Sequence, residues 1–254
     1  MFKDAIYIDG RVVRSVEDSA ELEMLLAPYV YRTVRTYNYA PKQPNAETQS
    51  LNNAFGEVFG LKSSLNATTL TTAVESVLTR NHYPSRLSNV EVRLHRLGSR
   101  AVMSVVAGEV LDQDHYDAAV LRPSAEICHC EIPWPQHFTS FGRQIIDLMS
   151  KSSKEVCITL SDGALRACEG FPLYGVVGEQ VVAFAPWESI ESHRAERVCQ
   201  RAGISLVRKD VCNPSEVREL FYFSTNELVS IGRLAGRPLE PFVAFRLSRF
   251  LNDA

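Results

Sequence analysis

The 254-residue chain lacks most of the features that would assign it at a glance. It has no apolar run long enough to cross a bilayer. It has no excess of one charge: 27 lysines and arginines stand against 30 acids, a net of −3. Arginine outnumbers lysine, but the arginines are scattered, which excludes the clustered basic face of a nucleic-acid binder. Six cysteines are present and none forms a CxxC pair. In a chain of this length without an export signal, reduced thiols packed as small apolar groups are the default. No internal repeat and no low-complexity tract occurs. The opening "MFKDAIYIDGRVV" alternates like a strand and does not read as a signal peptide. These absences predict a cytoplasmic protein with no nucleic-acid and no membrane partner.

What is present is patterning. Hydrophobic residues make up 45% of the chain, enough for one sizeable core or two smaller ones. Ala5 to Val13 reads as strand, turn at Asp9-Gly10, and strand. "YVYRTVRTYNYA" sets Val30, Arg32 and Val34 against Tyr31, Thr33 and Arg35, the period of a strand with two differently used faces. "PKQPNAETQ" breaks the chain before a helix striped by Leu51, Ala54, Phe55, Val58 and Phe59. A second helix follows, with Leu70, Ala73, Val74, Val77 and Leu78 at helical spacing and Asn66 or Thr68 as cap. Three strands come next, Val90 to Arg96, Ala101 to Val106, and Tyr116 to Leu121.

The proline-rich stretch 123–135 reads as a crossover. It implies an N-terminal α+β domain over 1–122 and a C-terminal α+β domain over 136–254. The second domain begins with a helix at about Ser140, with Phe141, Ile145, Leu148 and Met149 turned inward. Strands follow at "EVCITL", "ALRAC" and "FPLYGVVGEQVVAF", with a turn at Gly178-Glu179. "SIESHRAERVCQRAG" is a helix closed by Gly203. Ile204 to Asp210 is a strand, Asn213-Pro214 starts a helix, "LFYFST" is a buried strand, and Phe242 to Leu251 is a last short helix.

This order of motifs resembles the class IV fold of pyridoxal-phosphate enzymes, which includes branched-chain and D-amino-acid aminotransferases and aminodeoxychorismate lyase. The family's "GVFETIR" strand is matched by "YVYRTVR" and its "IR" strand by "VEVRLHRLGS". "KEVCITLSDGALRA" fills the place of "DEALLLDxxGxVxE", and "IESHR" that of the helix start "GITR". "ELFYFST" matches "EVFLTST", and "VSIGRLAG" the closing "PV…IDG". The resemblance implies a two-domain α+β, D-amino-acid-aminotransferase-like fold, a homodimer, and a ligand cleft between the domains.

The resemblance also exposes departures. The family lysine that holds the cofactor aldehyde covalently falls at His137, and no lysine occurs between Lys62 and Lys151. The glutamate that pairs with the ring nitrogen falls at Ala167, the asparagine after it at Pro172, and the phosphate-gripping arginine near Ser50. With the lysine and three further contacts to one cofactor missing, the sequence predicts no pyridoxal phosphate and no other cofactor. The phosphate elements left are the backbone before Arg194 and the hydroxyls of Ser224 and Thr225, which suit an anion. The family glutamate of the early strand falls at Arg32. That residue is then either an exposed strand arginine or a reversed charge that favours an anionic ligand.

The candidate chemistry follows. "CHCEIPWPQH" gathers Cys128, Cys130 and His137, with His137 as acid or base and either cysteine as a thiolate nucleophile beside it. The other reading of the two cysteines is a packed linker strand. A CxC without a second pair predicts no metal. Arg32, Arg35, Arg93, Arg194, Ser224 and Thr225 are the expected binders of a small anionic substrate. Two functions compete: an enzyme of small-molecule metabolism working in the old cleft without pyridoxal phosphate, and a catalytically silent relative that binds a ligand or partner. A genuine pyridoxal-phosphate aminotransferase or lyase stands third.

Overall fold

A computed structural model describes residues 4–16, 18–111, 119–122, 125–128, 138–153, 156–161, 164–168, 170–184, 189–209, 214–225 and 227–251. The chain divides into two compact units. One is Met1–Asp112 with Phe138–Phe141, and the other is Gln113–His137 with Gly142–Ala254.

The first unit opens with the hairpin β1 (Ile6–Ile8) and β2 (Arg11–Val13). Its turn holds Asp9 and Gly10 at φ 41° and 96°. Helix α1 (Ser19–Leu26) follows, capped by the Asp18 carboxylate. Its eight residues carry too short a pattern for periodicity to reveal. Strand β3 (Tyr29–Tyr37) turns into the two-residue β4 (Ala40–Pro41). Helix α2 (Pro44–Phe59) then begins inside the stretch read from sequence as a breaker. Pro44 is at the first helical turn, where a missing N–H costs nothing. Helix α3 (Ala67–Arg80) is capped by Asn66, whose Oδ1 accepts the Thr69 amide at 2.9 Å. Strands β5 (Ser88–Leu97) and β6 (Arg100–Val110) complete a six-stranded sheet in the order β2-β1-β6-β5-β3-β4.

Both helices lie on one sheet face. Val30, Val34, Val90, Val92 and Val105 meet Leu51, Phe55, Leu70, Val74 and Leu78 there in a closed core. Each such side chain contributes roughly 1.5–3 kcal/mol on leaving water.

The second unit holds β7 (Ala119–Arg122), β8 (Ala125–Cys128), β9 (Val156–Ser161), β10 (Ala164–Cys168), β11 (Phe171–Val177) and β12 (Gln180–Ala183). It continues with β13 (Leu206–Arg208), β14 (Val217–Phe223), β15 (Leu228–Ile231), β16 (Arg233–Leu234) and β17 (Arg237–Pro238). The sheet runs β17-β16-β8-β9-β10-β11-β14-β15-β7, with β12 and β13 branching from β11. Strand β7, read from sequence with the first domain, pairs in parallel with β15. Contact therefore moves the expected boundary from residue 122 back to Asp112.

Helix α4 (Ser140–Ser153) differs from expectation, since Phe141 and Leu148 are 69% and 67% exposed and do not turn inward. The expected helix at Pro214 is a single 3-10 turn, Pro214–Glu216. Helices α5 (Ile190–Arg201) and α6 (Phe242–Ser248) pack on the central strands.

The run "LFYF" on β14 is buried on both faces. Leu220 and Tyr222 enter one core, Phe221 and Phe223 the other. At Gly175 the backbones approach so closely that a Cβ would come within 2.7 Å of the Glu219 carbonyl. Glu219 itself is buried and ties α6 to the sheet. Its carboxylate accepts the Val243 and Ala244 amides at 2.8 and 2.6 Å, which the cap residue Pro241 leaves without a side-chain partner. Burial pushes this carboxyl above its usual range, and the two amides pull it back.

Glu219→Ala should lower unfolding stability by about 2–3 kcal/mol through loss of two charge-assisted bonds at a helix N-terminus. Glu219→Gln, which keeps one acceptor, should recover part of it. Urea midpoints of the three proteins check this.

Candidate functional site

Alternation along β3 sends Val30, Arg32, Val34 and Thr36 into the core and leaves Tyr29, Tyr31, Thr33 and Arg35 on the opposite face. Arg32 is therefore only 4% exposed, and its Nε donates to the Glu47 carboxylate at 3.0 Å. Glu47 sits in the first turn of α2, also buried. The Arg32 guanidinium also lies 5.5 Å from the centre of the Phe138 ring. Phe138 packs edge-on to Tyr31 at 6.0 Å, and Thr139 forms an antiparallel bridge with Val30. Arg32 thus fits neither expectation: it is not exposed, and its charge is met by an acid inside the core.

The opposite face carries the other two expected arginines. Arg35 is half-buried across from Asn89, which stands at a bulge facing Gly108. Arg93 donates to Glu91 at 2.6 Å and stacks over the Tyr29 ring at 4.9 Å. His95 follows on the same face, wholly buried, with Nε2 2.8 Å from the Ser104 hydroxyl and Nδ1 3.4 Å from the Ala27 carbonyl. Desolvation lowers its pKa from 6.5 to about 4, with Arg93 adding to the effect and the Ala27 bond opposing it. The first face is a core with one ion pair. The second is a half-buried belt of aromatic and charged groups.

In the second unit, α5 opens with a capping box. Ser189 Oγ accepts the Ser192 amide at 3.1 Å, and Ser192 Oγ accepts the Ser189 amide at 2.8 Å. Arg194, 5% exposed, donates through Nη1 to the carbonyls of Ser224 and Thr225, both at 3.3 Å. This brings three of the expected anion binders together, with Arg194 in the second turn of α5 against the carbonyls of Ser224 and Thr225. Glu191, 3% exposed, adds a carboxylate in the first turn. The Ser224 hydroxyl accepts the Glu227 amide at 3.0 Å and so closes its own turn.

Ala167 and Pro172, the two positions where the resemblance implies a glutamate and an asparagine, are directly opposed across β10 and β11. Both are buried, and neither side chain carries a proton acceptor.

His137 and Cys130 lie outside the described residues, as do the side chains of Cys128 and Lys151 and all of Lys154. Among the described residues no group of three His, Cys, Asp or Glu could hold a metal. Cys168 and Cys199 are buried and in no disulfide. Burial and Glu196 push Cys199 up to about 12, so it is inert at neutral pH. No helix among the described residues is long and apolar enough to cross a membrane. Glu47, His95 and Ser104 were not foreseen. The only sequence signal for them is alternation, which says that His95 shares a face with Arg93.

No family model and no curated protein sequence matches the chain. Solved structures do. A branched-chain aminotransferase from Thermoproteus uzoniensis, with norvaline, superposes with a TM-score of 0.79 at 14% identity, covering 98% of this chain and 93% of that one. A branched-chain amino acid aminotransferase from T.th., complexed with N-(5'-phosphopyridoxyl)-L-glutamate, gives 0.76 at 17%, over 100% and 94%. The same protein with pyridoxamine 5'-phosphate gives 0.76 at 18%, over 100% and 94%.

The fold is that of the class IV branched-chain aminotransferases. The expectation of a cofactor-free protein is thereby corrected, because solved examples of this fold carry a phosphopyridoxyl compound and pyridoxamine phosphate. The residues present fit that group unevenly. The residues that would hold its phosphate end are those at the start of α5 and in the loop held by Arg194. Its ring nitrogen has no carboxylate at the Ala167–Pro172 pair.

Two outcomes test these assignments. Arg32→Met should cost about 3–5 kcal/mol by stranding Glu47, whereas Arg32→Met with Glu47→Met should cost far less; chemical denaturation of both proteins checks this. His95 binds its proton more weakly folded than unfolded. Its stabilising contribution is complete above pH 6.5 and is lost as pH falls toward 4, by ~3 kcal/mol. The His95→Gln stability curve should be flatter across that window.

Proposed function

We propose that the protein binds a phosphorylated pyridoxyl cofactor by its phosphate end and acts on a small anionic amino or keto acid, as a homodimer. The observation that carries this reading is buried Arg194, which holds the Ser224–Thr225 loop from the second turn of α5, close to the helix N-terminus. The cation and the nearby helix terminus together favour an anion there, and the Glu191 carboxylate opposes it. The neighbours' phosphopyridoxyl and pyridoxamine phosphate ligands supply the chemical class.

The cofactor, when bound, supplies an electron-withdrawing ring. This chain's own contribution is the phosphate seat of the second unit; Arg35 and Arg93 in the first unit are the candidates for an anionic substrate group, and His137, Cys128 and Cys130 the candidates for proton or thiol chemistry from the sequence. The homodimer is supported by the exposed apolar side chains of Phe141, Leu148 and Phe242.

A second reading, a silent relative that binds the same ligand without turning it over, is favoured by the buried Ala167–Pro172 pair, which offers the ring nitrogen no proton partner.

The test is titration of the purified protein with pyridoxal phosphate and pyridoxamine phosphate, read by absorbance and fluorescence, followed by borohydride and peptide mapping. Saturable binding that weakens ~10-fold or more in Arg194→Met, through loss of the buried cation, supports the phosphate seat. Absence of saturable binding sinks the proposal. Fixation of the pyridoxyl group to a lysine favours the enzyme; binding without fixation favours the silent relative.

A further inference from the structure

The first unit contains a second candidate ligand site, independent of Arg194. A cavity of about 530 Å³ opens between the α2–α3 connection at 61–66 and the turns of the β1–β2 and β5–β6 hairpins. That volume lies within the ordinary range of small-molecule pockets, roughly 300–1,000 Å³. Its lining is divided by chemistry. Leu94 and Met103, 2% and 7% exposed, form an apolar floor, and the Tyr7 ring stands beside them. Lys62 and Arg100 supply two cations at the mouth, and Ser63, Ser64 and Ser99 supply hydroxyl donors.

One carboxylate, Asp9, opposes the two cations. It stands 3.6 Å from Arg100 with both side chains mostly exposed, a pairing that contributes little and leaves the guanidinium available. The wall is held in place before any ligand arrives. The Asn52 side chain makes both bonds to Leu65, donating to its carbonyl at 2.8 Å and accepting its amide at 3.2 Å. On the other side, the Asp9 amide donates to the Met103 carbonyl at 3.1 Å. A floor of fixed apolar side chains under a rim of cations and hydroxyls matches a molecule with one acidic end and an apolar body.

The geometry points to a binding site here for a small phosphate ester or carboxylic acid carrying an aromatic or aliphatic group, its anion on Lys62 and Arg100 and its body on Tyr7, Leu94 and Met103. The probes are phenyl phosphate, which has both parts, and inorganic phosphate, which has only the anion. Amide chemical shifts follow where each binds.

Phenyl phosphate should shift Ser63, Ser64 and Ser99 saturably and more tightly than inorganic phosphate. Lys62→Ala with Arg100→Ala should weaken it about tenfold or more, as loss of charge-assisted contacts requires. Both replaced side chains are exposed, so the thermal midpoint should not move. Shifts confined to Ser224, Thr225 and α5, no saturable shift, or unchanged affinity in the double variant would each overturn the site. Because the readout is residue by residue, its failure is separate from that of the phosphate seat in the second unit.

Discussion

The buried pair of Arg32 and Glu47 is the contact around which the first unit is organised. It joins strand β3 to the first turn of α2 inside an otherwise apolar core. A charge at that depth is tolerable only with a partner at hydrogen-bonding distance, because desolvation costs each ion several kcal/mol. The pair therefore fixes how far α2 can slide along the sheet. It also fixes a third element, since Phe138 lays its ring against the guanidinium while Thr139 bridges to Val30. The chain returns to the first unit for these four residues, 138–141, and then leaves again.

The second unit solves a related problem with different parts. Its central strands are buried on both faces, so the sheet must be covered twice, and α5 and α6 supply one cover. Both helices are tied down by polar side chains at their N-termini, α5 by its own serines and α6 by Glu219 from the sheet. Arg194 makes the parallel connection from α5 to the loop after β14.

Much of the element order was legible in the sequence because it rests on period. The alternation in "YVYRTVRTY" gave β3 and its two faces, and the stripes of α2 and α3 gave their buried sides. Periodicity misled at α4, where Phe141 and Leu148 share a stripe that is exposed. It was silent on α1, whose eight residues are too few to show a pattern. The candidate site was legible in part. Arg194, Ser224 and Thr225 do lie together, joined through the two backbone carbonyls. Arg32 does not join a ligand face, because the acid that neutralises it is fifteen residues away on another element.

By itself, then, the sequence determined which residues alternate, which lie on helical stripes, where caps and turns fall, and that no acid stands at Ala167 or Pro172. These are properties of short windows and of residue identity. The tertiary structure alone decided that Arg32 is buried against Glu47, that Ala167 and Pro172 face each other, and that Leu94 and Met103 floor a cavity rimmed by Lys62 and Arg100. Each of those depends on how far apart segments register against one another, and pairing across a sheet is set by the packing of the whole core rather than by any local run of residues.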